Sequence, residues 1–149
     1  MDVGSIDTMF HPFPSAEQAD VDLRVHARAT SENAYVPYSH FRVGAAVLLA
    51  DGSIVTGCNV ENASYGLTVC AERTALSRLV AEGHDPANIE AIAIHVDGPE
   101  GQPCGACRQF MLELAPTARV SFVTGGEYVT TTPTGLLPAG FVPAALDPR

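Results

Sequence analysis

The sequence predicts one α/β domain, in which helices cover both faces of a mixed, roughly five-stranded sheet to give three layers, α/β/α. Helical and strand-like segments alternate along the chain in the order α-β-β-α-β-α-β, which is typical of a mixed sheet with helical layers. The 149 residues are 46% hydrophobic and 17% charged, which supplies enough apolar material for one core. No repeat, linker or low-complexity block divides residues 15–149, so we expect them to form a single domain.

Local signals place the elements. The run His11-Pro12-Phe13-Pro14 resists regular structure, so residues 1–14 are expected to form an irregular N-terminal extension. Asp51-Gly52 lies between two β-like segments and is typical of a hairpin turn. The predicted elements are a helix at 15–32 with a capping box of Ser15 and Gln18, strands at 42–50 and 53–60, a helix at 69–82, a strand at 89–96, a helix at 104–114 and a strand at 120–124. The tail from Thr130 receives no assignment.

The charge balance excludes several classes of function. The formal net charge is −9, and all eight basic side chains are arginines. Such a field repels phosphates, so a nucleic-acid polymer is not expected as a substrate. The absence of lysine excludes catalysis through a lysine Schiff base and the usual anchoring of pyridoxal phosphate.

We expect a cytoplasmic protein with no part in a membrane. The N-terminus shows no basic region followed by an apolar stretch, as a secretory signal would have. The longest apolar run, residues 43–50, is too short to span a bilayer. A Cys-x-x-Cys pair in a cytosolic chain favours metal binding or redox chemistry over a structural disulfide.

Three cysteines and one glutamate form the pattern that carries most chemical information. Cys70 and Glu72 begin one predicted helix, and Cys104 and Cys107 begin another. Helix N-termini stabilise thiolates, so the three thiols are expected to converge on one metal ion. Three protein ligands leave a tetrahedral Zn²⁺ with one open position, as a catalytic site requires. Glu72 is then placed to act as the general acid and base for an attacking water.

Two arginines and the fourth cysteine leave alternatives open. Arg73, one helical turn after Cys70, is expected to donate a hydrogen bond to a thiolate and compensate its charge, and Arg108 is a second candidate. The alternative is that each arginine is a solvated surface residue. Cys58 is interpreted as a small core residue, but as a fourth ligand it would close the metal site and make it a structural, non-enzymatic zinc module.

Longer segments around these motifs resemble a known family. They read PYSHFRVGAA at 37–46, GCNVENASYGLTVCAER at 57–73 and PCGACRQ at 103–109. This pattern is similar to the short, homotetrameric, zinc-dependent cytidine/deoxycytidine deaminases. The catalytic sites of that superfamily combine a Zn²⁺ held by Cys or His ligands with a conserved glutamate.

The resemblance implies a hydrolase that converts cytidine and deoxycytidine to uridine and deoxyuridine plus ammonia, in pyrimidine salvage, with zinc and no organic cofactor. It implies that Asn59 and Glu61 bind the ribose hydroxyls, that Phe41 lines the pocket, and that the backbone of Ala71 contacts the base. It also implies a homotetramer in which Phe141 reaches into a neighbouring subunit's site and stacks on the pyrimidine. A related deaminase of a cytosine-containing antibiotic, such as blasticidin S, remains the enzymatic alternative.

Overall fold

The computed structural model describes residues 16–146. The expected N-terminal extension, residues 1–14, and Ser15 of the expected capping box lie outside the described residues. The elements are the helices α1 (Ala16–Ser31), α2 (Ala71–Ala81), α3 (Gly105–Leu114) and α4 (Pro133–Leu136), and the strands β1 (Val43–Leu49), β2 (Ile54–Cys58), β3 (Ile89–Val96), β4 (Arg119–Thr124) and β5 (Glu127–Thr131). No helix within these residues has the length and apolar character needed to cross a membrane.

The five strands form one mixed sheet in the order β2-β1-β3-β4-β5, which confirms the predicted fold class. Strands β3 and β4 pair in parallel, whereas the other neighbouring strands are antiparallel. The parallel pair requires a crossover, and α3 supplies it. In α/β sheets, ligands bind outside the carboxyl ends of the strands, so the loop between β3 and α3 is the expected position of a site.

Helices cover both faces of the sheet, as the prediction of three layers requires. Leu23 and Ala27 of α1 pack on one face against small side chains such as Ala46 and Ala93. Helices α2 and α3 cover the other face, where the main core lies. The fully buried members of that core include Val47, Leu76, Leu79, Ile92, Met111 and Val120.

Two glycines of the β1–β2 hairpin let the helices approach the sheet closely from opposite sides. A Cβ atom at Gly44 would collide with the carbonyl oxygen of Ala27 in α1. A Cβ atom at Gly57 would collide with the backbone nitrogen of Ala75 in α2. Because α2 begins at the predicted site, Gly57 helps to fix how that site sits over the sheet.

The chain after β4 is more regular than the sequence analysis predicted. Strand β5 pairs along the edge of the sheet with β4, after a turn in which Gly125 and Gly126 have φ of 58° and 81°. Two glycines between β-like segments are a recognised hairpin signal, so this strand was predictable. Its side chains are mostly exposed, which removed the hydrophobic alternation that identifies a strand.

Candidate active site

The three predicted thiols converge because two helices begin at the same place. Cys70 is the N-cap of α2 and Cys104 is the N-cap of α3, and neither side chain makes a capping hydrogen bond. Cys107 lies in the first turn of α3 and is buried. The sulfur atoms of Cys70 and Cys104 are 3.8 Å apart, and all three sulfurs lie within 4.8 Å of one another.

This spacing fits a tetrahedral metal ion. With a Zn–S bond of about 2.3 Å, tetrahedral geometry separates two ligand sulfurs by roughly 3.8 Å. The donor set is three thiolates, which zinc accepts readily, and the two helix N-termini offset part of the negative charge. The geometry therefore leaves one coordination position for a non-protein ligand.

Hydrogen bonding favours the thiolate form of Cys70. The Cys107 thiol and the Arg73 guanidinium both donate towards the Cys70 sulfur, and together they lower the pKa of Cys70 to about 5. The Arg73 Nη2 atom is 3.7 Å from that sulfur and 3.2 Å from the Thr68 carbonyl oxygen. The pKa of Cys107 is raised instead, because its proton is held in the hydrogen bond to Cys70 and because it is buried.

Glu72 is a buried carboxyl group in the first turn of α2, where only 4% of the residue is exposed. Burial raises the pKa of Glu72 to about 7, and the negative charge of Cys70 adds to the effect. A carboxyl group with a pKa near neutrality exchanges protons readily in both directions. Its position supports the predicted role as a general acid and base.

Glu72, Cys70 and Cys104 open into a cavity of about 230 Å³. Apolar side chains and polar groups share its wall, and no lining residue is Arg, Lys or His. The remaining lining residues are Phe41, Val43, Asn59, Thr68, Ile94, Val96, Glu100, Gly101 and Gln102. The cavity therefore suits a partly apolar, uncharged molecule with several polar atoms.

Comparisons with known proteins agree with this geometry. The family model described as the cytidine and deoxycytidylate deaminase zinc-binding region matches residues 18–124. The cytidine deaminase of Halalkalibacterium halodurans is 50% identical over 113 residues, which cover 74% of this chain and 84% of that protein. The chain belongs to this family.

Solved structures of family members share the fold. The cytidine deaminase from Burkholderia pseudomallei superimposes with a TM-score of 0.76 at 49% sequence identity, covering 81% of this chain and 98% of that one. The cytidine deaminase from Mycobacterium tuberculosis gives a TM-score of 0.70 at 40% identity, covering 81% and 95% of the two chains. The matched family region binds zinc, and within the described residues Cys70, Cys104 and Cys107 form the one group of three or more converging His, Cys, Asp or Glu ligands.

The two predicted sugar-binding residues lie in neighbouring depressions of the surface rather than side by side. Asn59 lines the cavity, but its side chain also accepts a hydrogen bond from Val43 N at 2.9 Å and donates one to Phe41 O at 2.7 Å. Glu61 lies in an adjoining depression that shares Thr68 with the cavity. Asn59 therefore also fixes the backbone beside Phe41, which the sequence analysis did not predict.

The Glu61 carboxylate fixes the same segment. It accepts hydrogen bonds from Tyr38 N at 2.9 Å, from Ser39 N at 3.2 Å and from the Ser39 hydroxyl. These bonds lower the pKa of Glu61, with the Ser39 hydroxyl as the largest cause. The carboxylate is exposed towards the depression and retains acceptor capacity for a further hydroxyl group.

The other predicted residues lie in three different environments: the core, the cavity wall and the surface. Ala71 is fully buried, and its side chain is absent from the cavity wall. Phe41 lines the cavity with 49% of the residue exposed. Phe141 is 57% exposed and does not line the cavity of its own chain.

Two expectations for the metal cluster have a clear outcome. Arg108 does not bond a thiolate: it donates to the carbonyl oxygens of Pro103 at 2.9 Å and Leu136 at 3.1 Å, because the C-terminal segment lies within its reach. Cys58, at the end of β2, is a free cysteine outside the group of converging thiols. The described residues thus provide no fourth thiolate that would close the site.

Glu100 and Gln102 line the cavity but are absent from the predicted site. Glu100 accepts hydrogen bonds from Gly125 N at 2.9 Å and the Thr124 hydroxyl at 3.1 Å, and Gln102 donates to the same hydroxyl at 2.8 Å. Both residues stand just before Pro103 in the loop that follows β3. Their place between a buried strand and a ligand-bearing helix was the available signal.

Proposed function

We propose that this protein deaminates cytidine and deoxycytidine by hydrolysis, with the family's zinc as its only cofactor. The carrying observation is the juxtaposition of Glu72 with three convergent thiols at one end of a cavity of about 230 Å³. The relatives described above are named cytidine deaminases. A non-enzymatic zinc module has no use for a buried carboxyl group in an open cavity beside the thiols.

Cys70, Cys104 and Cys107 would hold the zinc ion through their sulfur atoms. When bound, zinc supplies a Lewis acid that lowers the pKa of a water molecule and makes it a nucleophile at neutral pH. Arg73 hydrogen-bonds the Cys70 sulfur and withdraws negative charge from it. Such a contact to a ligand tunes the metal site without touching the substrate.

Glu72 transfers the protons of the reaction. It takes a proton from the attacking water and delivers it to the ring nitrogen N3, while the water oxygen forms a bond to C4. It then takes the second proton and delivers it to the exocyclic amine. The C4–N bond breaks, ammonia leaves, and the product carries a carbonyl oxygen at C4. One water is consumed for each ammonia released.

The cavity wall supports recognition of a nucleoside. We assign ribose hydroxyls to Asn59 and Glu61, and packing against the ligand to Phe41. The family resemblance adds a backbone contact with the base at Ala71, which stands in the chain between the lining residues Cys70 and Glu72. Neither the cavity nor the adjoining depression is lined by a cationic side chain. A phosphate group would lack a partner there, so the nucleoside is favoured over its monophosphate.

The assembly and setting form part of the same proposal. Phe141 is more than half exposed in its own chain and is assigned to the active site of a neighbouring subunit in a homotetramer. The thiols would serve as ligands most readily in the reducing cytoplasm, where they stay unpaired. Conversion of a free nucleoside to uridine or deoxyuridine there places the reaction in pyrimidine salvage.

Ammonia release from cytidine tests the proposal. Zinc-loaded protein should release ammonia from cytidine and deoxycytidine, and much more slowly from cytosine, CMP and blasticidin S. Glu72→Gln should keep one zinc per chain and lose a factor of about 10² to 10⁴ in kcat, the usual contribution of a general acid and base. Glu90→Gln, which changes an exposed glutamate on β3, is the matched control and should remain active.

Three results would count against the assignment. Faster turnover of blasticidin S than of cytidine would identify an antibiotic deaminase, whereas equal efficiency on cytosine and cytidine would remove the ribose contacts. A folded, zinc-containing protein that releases ammonia from none of these compounds would leave the structural module as the explanation.

A further inference from the structure

The C-terminal segment is attached to the same helix that carries two of the thiols. Arg108 donates a hydrogen bond to the Leu136 carbonyl oxygen at 3.1 Å. Gly140 passes so close to Leu112 that a Cβ atom there would collide with the leucine side chain. These contacts lead the chain along α3 to Phe141, the residue beside Gly140.

Gln109 of α3 completes this attachment with both ends of its amide group. Its Nε2 donates to the Phe141 carbonyl oxygen at 2.8 Å, and its Oε1 accepts from the Phe141 backbone nitrogen at 3.2 Å. A primary amide thus pairs with the N–H and C=O of a single residue, as a neighbouring β-strand would. The pair fixes the position and the rotation of the Phe141 backbone.

The ring that this pair positions is exposed. Phe141 has 57% of its surface accessible, so packing within its own chain does little to hold the residue in place. An aromatic side chain on an unattached tail would have to be ordered each time it met a ligand. Gln109 removes much of that cost because the backbone is already held.

We propose that Gln109 is a positioning residue that acts through Phe141 on substrate binding. This inference rests on the proposed function, in which Phe141 stacks on the pyrimidine in a neighbouring subunit. Gln109 itself does not touch the substrate. Its contribution therefore lies in KM rather than in kcat, and it disappears when the Phe141 ring is absent.

A double-mutant cycle measures this dependence. Stacking of an aromatic side chain on a base predicts that Phe141→Ala raises KM for cytidine on the order of tenfold. Gln109→Met keeps the length of the side chain without its hydrogen bonds and should raise KM on the order of fivefold, with kcat and zinc content unchanged. The double variant should match Phe141→Ala alone, since a residue that acts only through another adds nothing further.

Controls separate this effect from damage to α3. Glu113→Met places a methionine at an exposed position one turn along the same helix and should leave KM unchanged. Gln109→Glu replaces the donor to Phe141 O with a carboxylate oxygen that repels this carbonyl group, so its KM should rise at least as much as that of Gln109→Met. This variant also decides the question if Gln109→Met does not fold.

A second readout is independent of activity. Hydrogen exchange at the Phe141 amide should be faster in Gln109→Met than in wild type, because its acceptor is removed. The inference would be overturned if the KM of the double variant rose by the product of the two single effects. An unchanged KM in both Gln109 variants, or unchanged hydrogen exchange at Phe141, would overturn it as well. If wild type does not deaminate cytidine, the proposed function fails, and exchange still shows whether Gln109 holds Phe141.

Discussion

Helices α2 and α3 begin in the same way but contribute different parts of the site. Each is capped by a cysteine with an extended backbone, Cys70 at φ −70° and ψ 154° and Cys104 at φ −68° and ψ 169°. Helix α2 then adds the buried Glu72 and Arg73. Helix α3 adds a second thiol, Cys107, and then side chains that reach the C-terminal segment.

The arginines of the two helices show the difference most clearly. Arg73 and Arg108 each follow a metal-cluster motif, yet Arg73 contacts the Cys70 sulfur whereas Arg108 contacts two backbone carbonyl groups. Two helices with the same N-cap residue and backbone conformation thus contribute different functional groups to the site. We assign proton transfer, one thiolate ligand and the contact that tunes it to α2, and two thiolate ligands together with the hold on the C-terminal segment to α3.

Removal of the buried thiol of α3 should have the largest effect. Cys107→Ala leaves two sulfur ligands, so zinc content should fall from one per chain to nearly none, and activity by a factor of about 10³ or more. Metal analysis of the purified protein, beside an ammonia-release assay, measures both. Retention of stoichiometric zinc would show that Cys107 is not a ligand and would break the division of labour between the helices.

The next largest effect is expected for the two arginines, whose substitutions should change different kinetic constants. Arg73→Gln removes a contact to a ligand sulfur and should lower kcat on the order of 10- to 100-fold, as loss of an outer contact to a metal ligand typically does. Arg108→Gln should leave kcat within about threefold and raise KM, because it loosens the tail rather than the metal cluster. Steady-state kinetics on cytidine compares them, and equal losses in kcat would contradict the assignment.

These contrasts also mark what the sequence could predict. Local spacing at each helix start is sufficient to group Cys70 with Glu72 and Arg73, and to group Cys104 with Cys107. That the two groups meet depends on the fold, because Cys70 and Cys104 are 34 positions apart in the chain. The hydrogen bonding of the Arg108 side chain depends on the carbonyl group of Leu136, which is 28 positions away in the chain. The additional role of Asn59 likewise depends on how β2 meets the chain before β1, which no local pattern specifies.

The fold shows the same limit. Strand β3 was predicted with its observed bounds, Ile89–Val96, because a continuous apolar run is typical of a buried strand. Strand β5 lies at an exposed edge, where alternation is weak and pairing with β4 supplies the regularity. A strand with its own apolar pattern is thus predicted with its bounds, whereas an exposed edge strand is indicated only by the glycine turn before it.

Substitution of Cys58 should change zinc content and activity little, in contrast to substitution of the converging thiols. It ends β2, outside the converging thiols, so Cys58→Ser should keep one zinc per chain and change kcat by no more than about twofold. The free energy of unfolding should fall by about 1 kcal/mol or less, since the residue is only half-buried. A loss of zinc in this variant would restore the structural module with four thiolates.

The smallest effect concerns the glutamates that brace the chain before each helix. Glu61 precedes α2, and Glu100 precedes α3 and has its pKa lowered mainly by the hydrogen bond from Gly125 N. A carboxyl group with a lowered pKa in the folded state adds stability above its ordinary value of 4.5, and that contribution is lost as the pH falls through the folded pKa. Urea unfolding followed from about pH 6 down to about pH 3 should therefore show a slightly shallower acid slope in Glu100→Gln than in wild type.

The sign of this difference is the informative part. Glu100→Gln keeps an acceptor for Gly125 N but no longer titrates, so its stability should lie below that of wild type at neutral pH and approach it in acid. Glu61→Gln should behave in the same way and in addition raise KM for cytidine, because we assign Glu61 to a ribose hydroxyl. If Glu100→Gln raised KM as much as Glu61→Gln, the loop before α3 would also bind substrate, and the work of the two helix entries would be more alike than their contacts indicate.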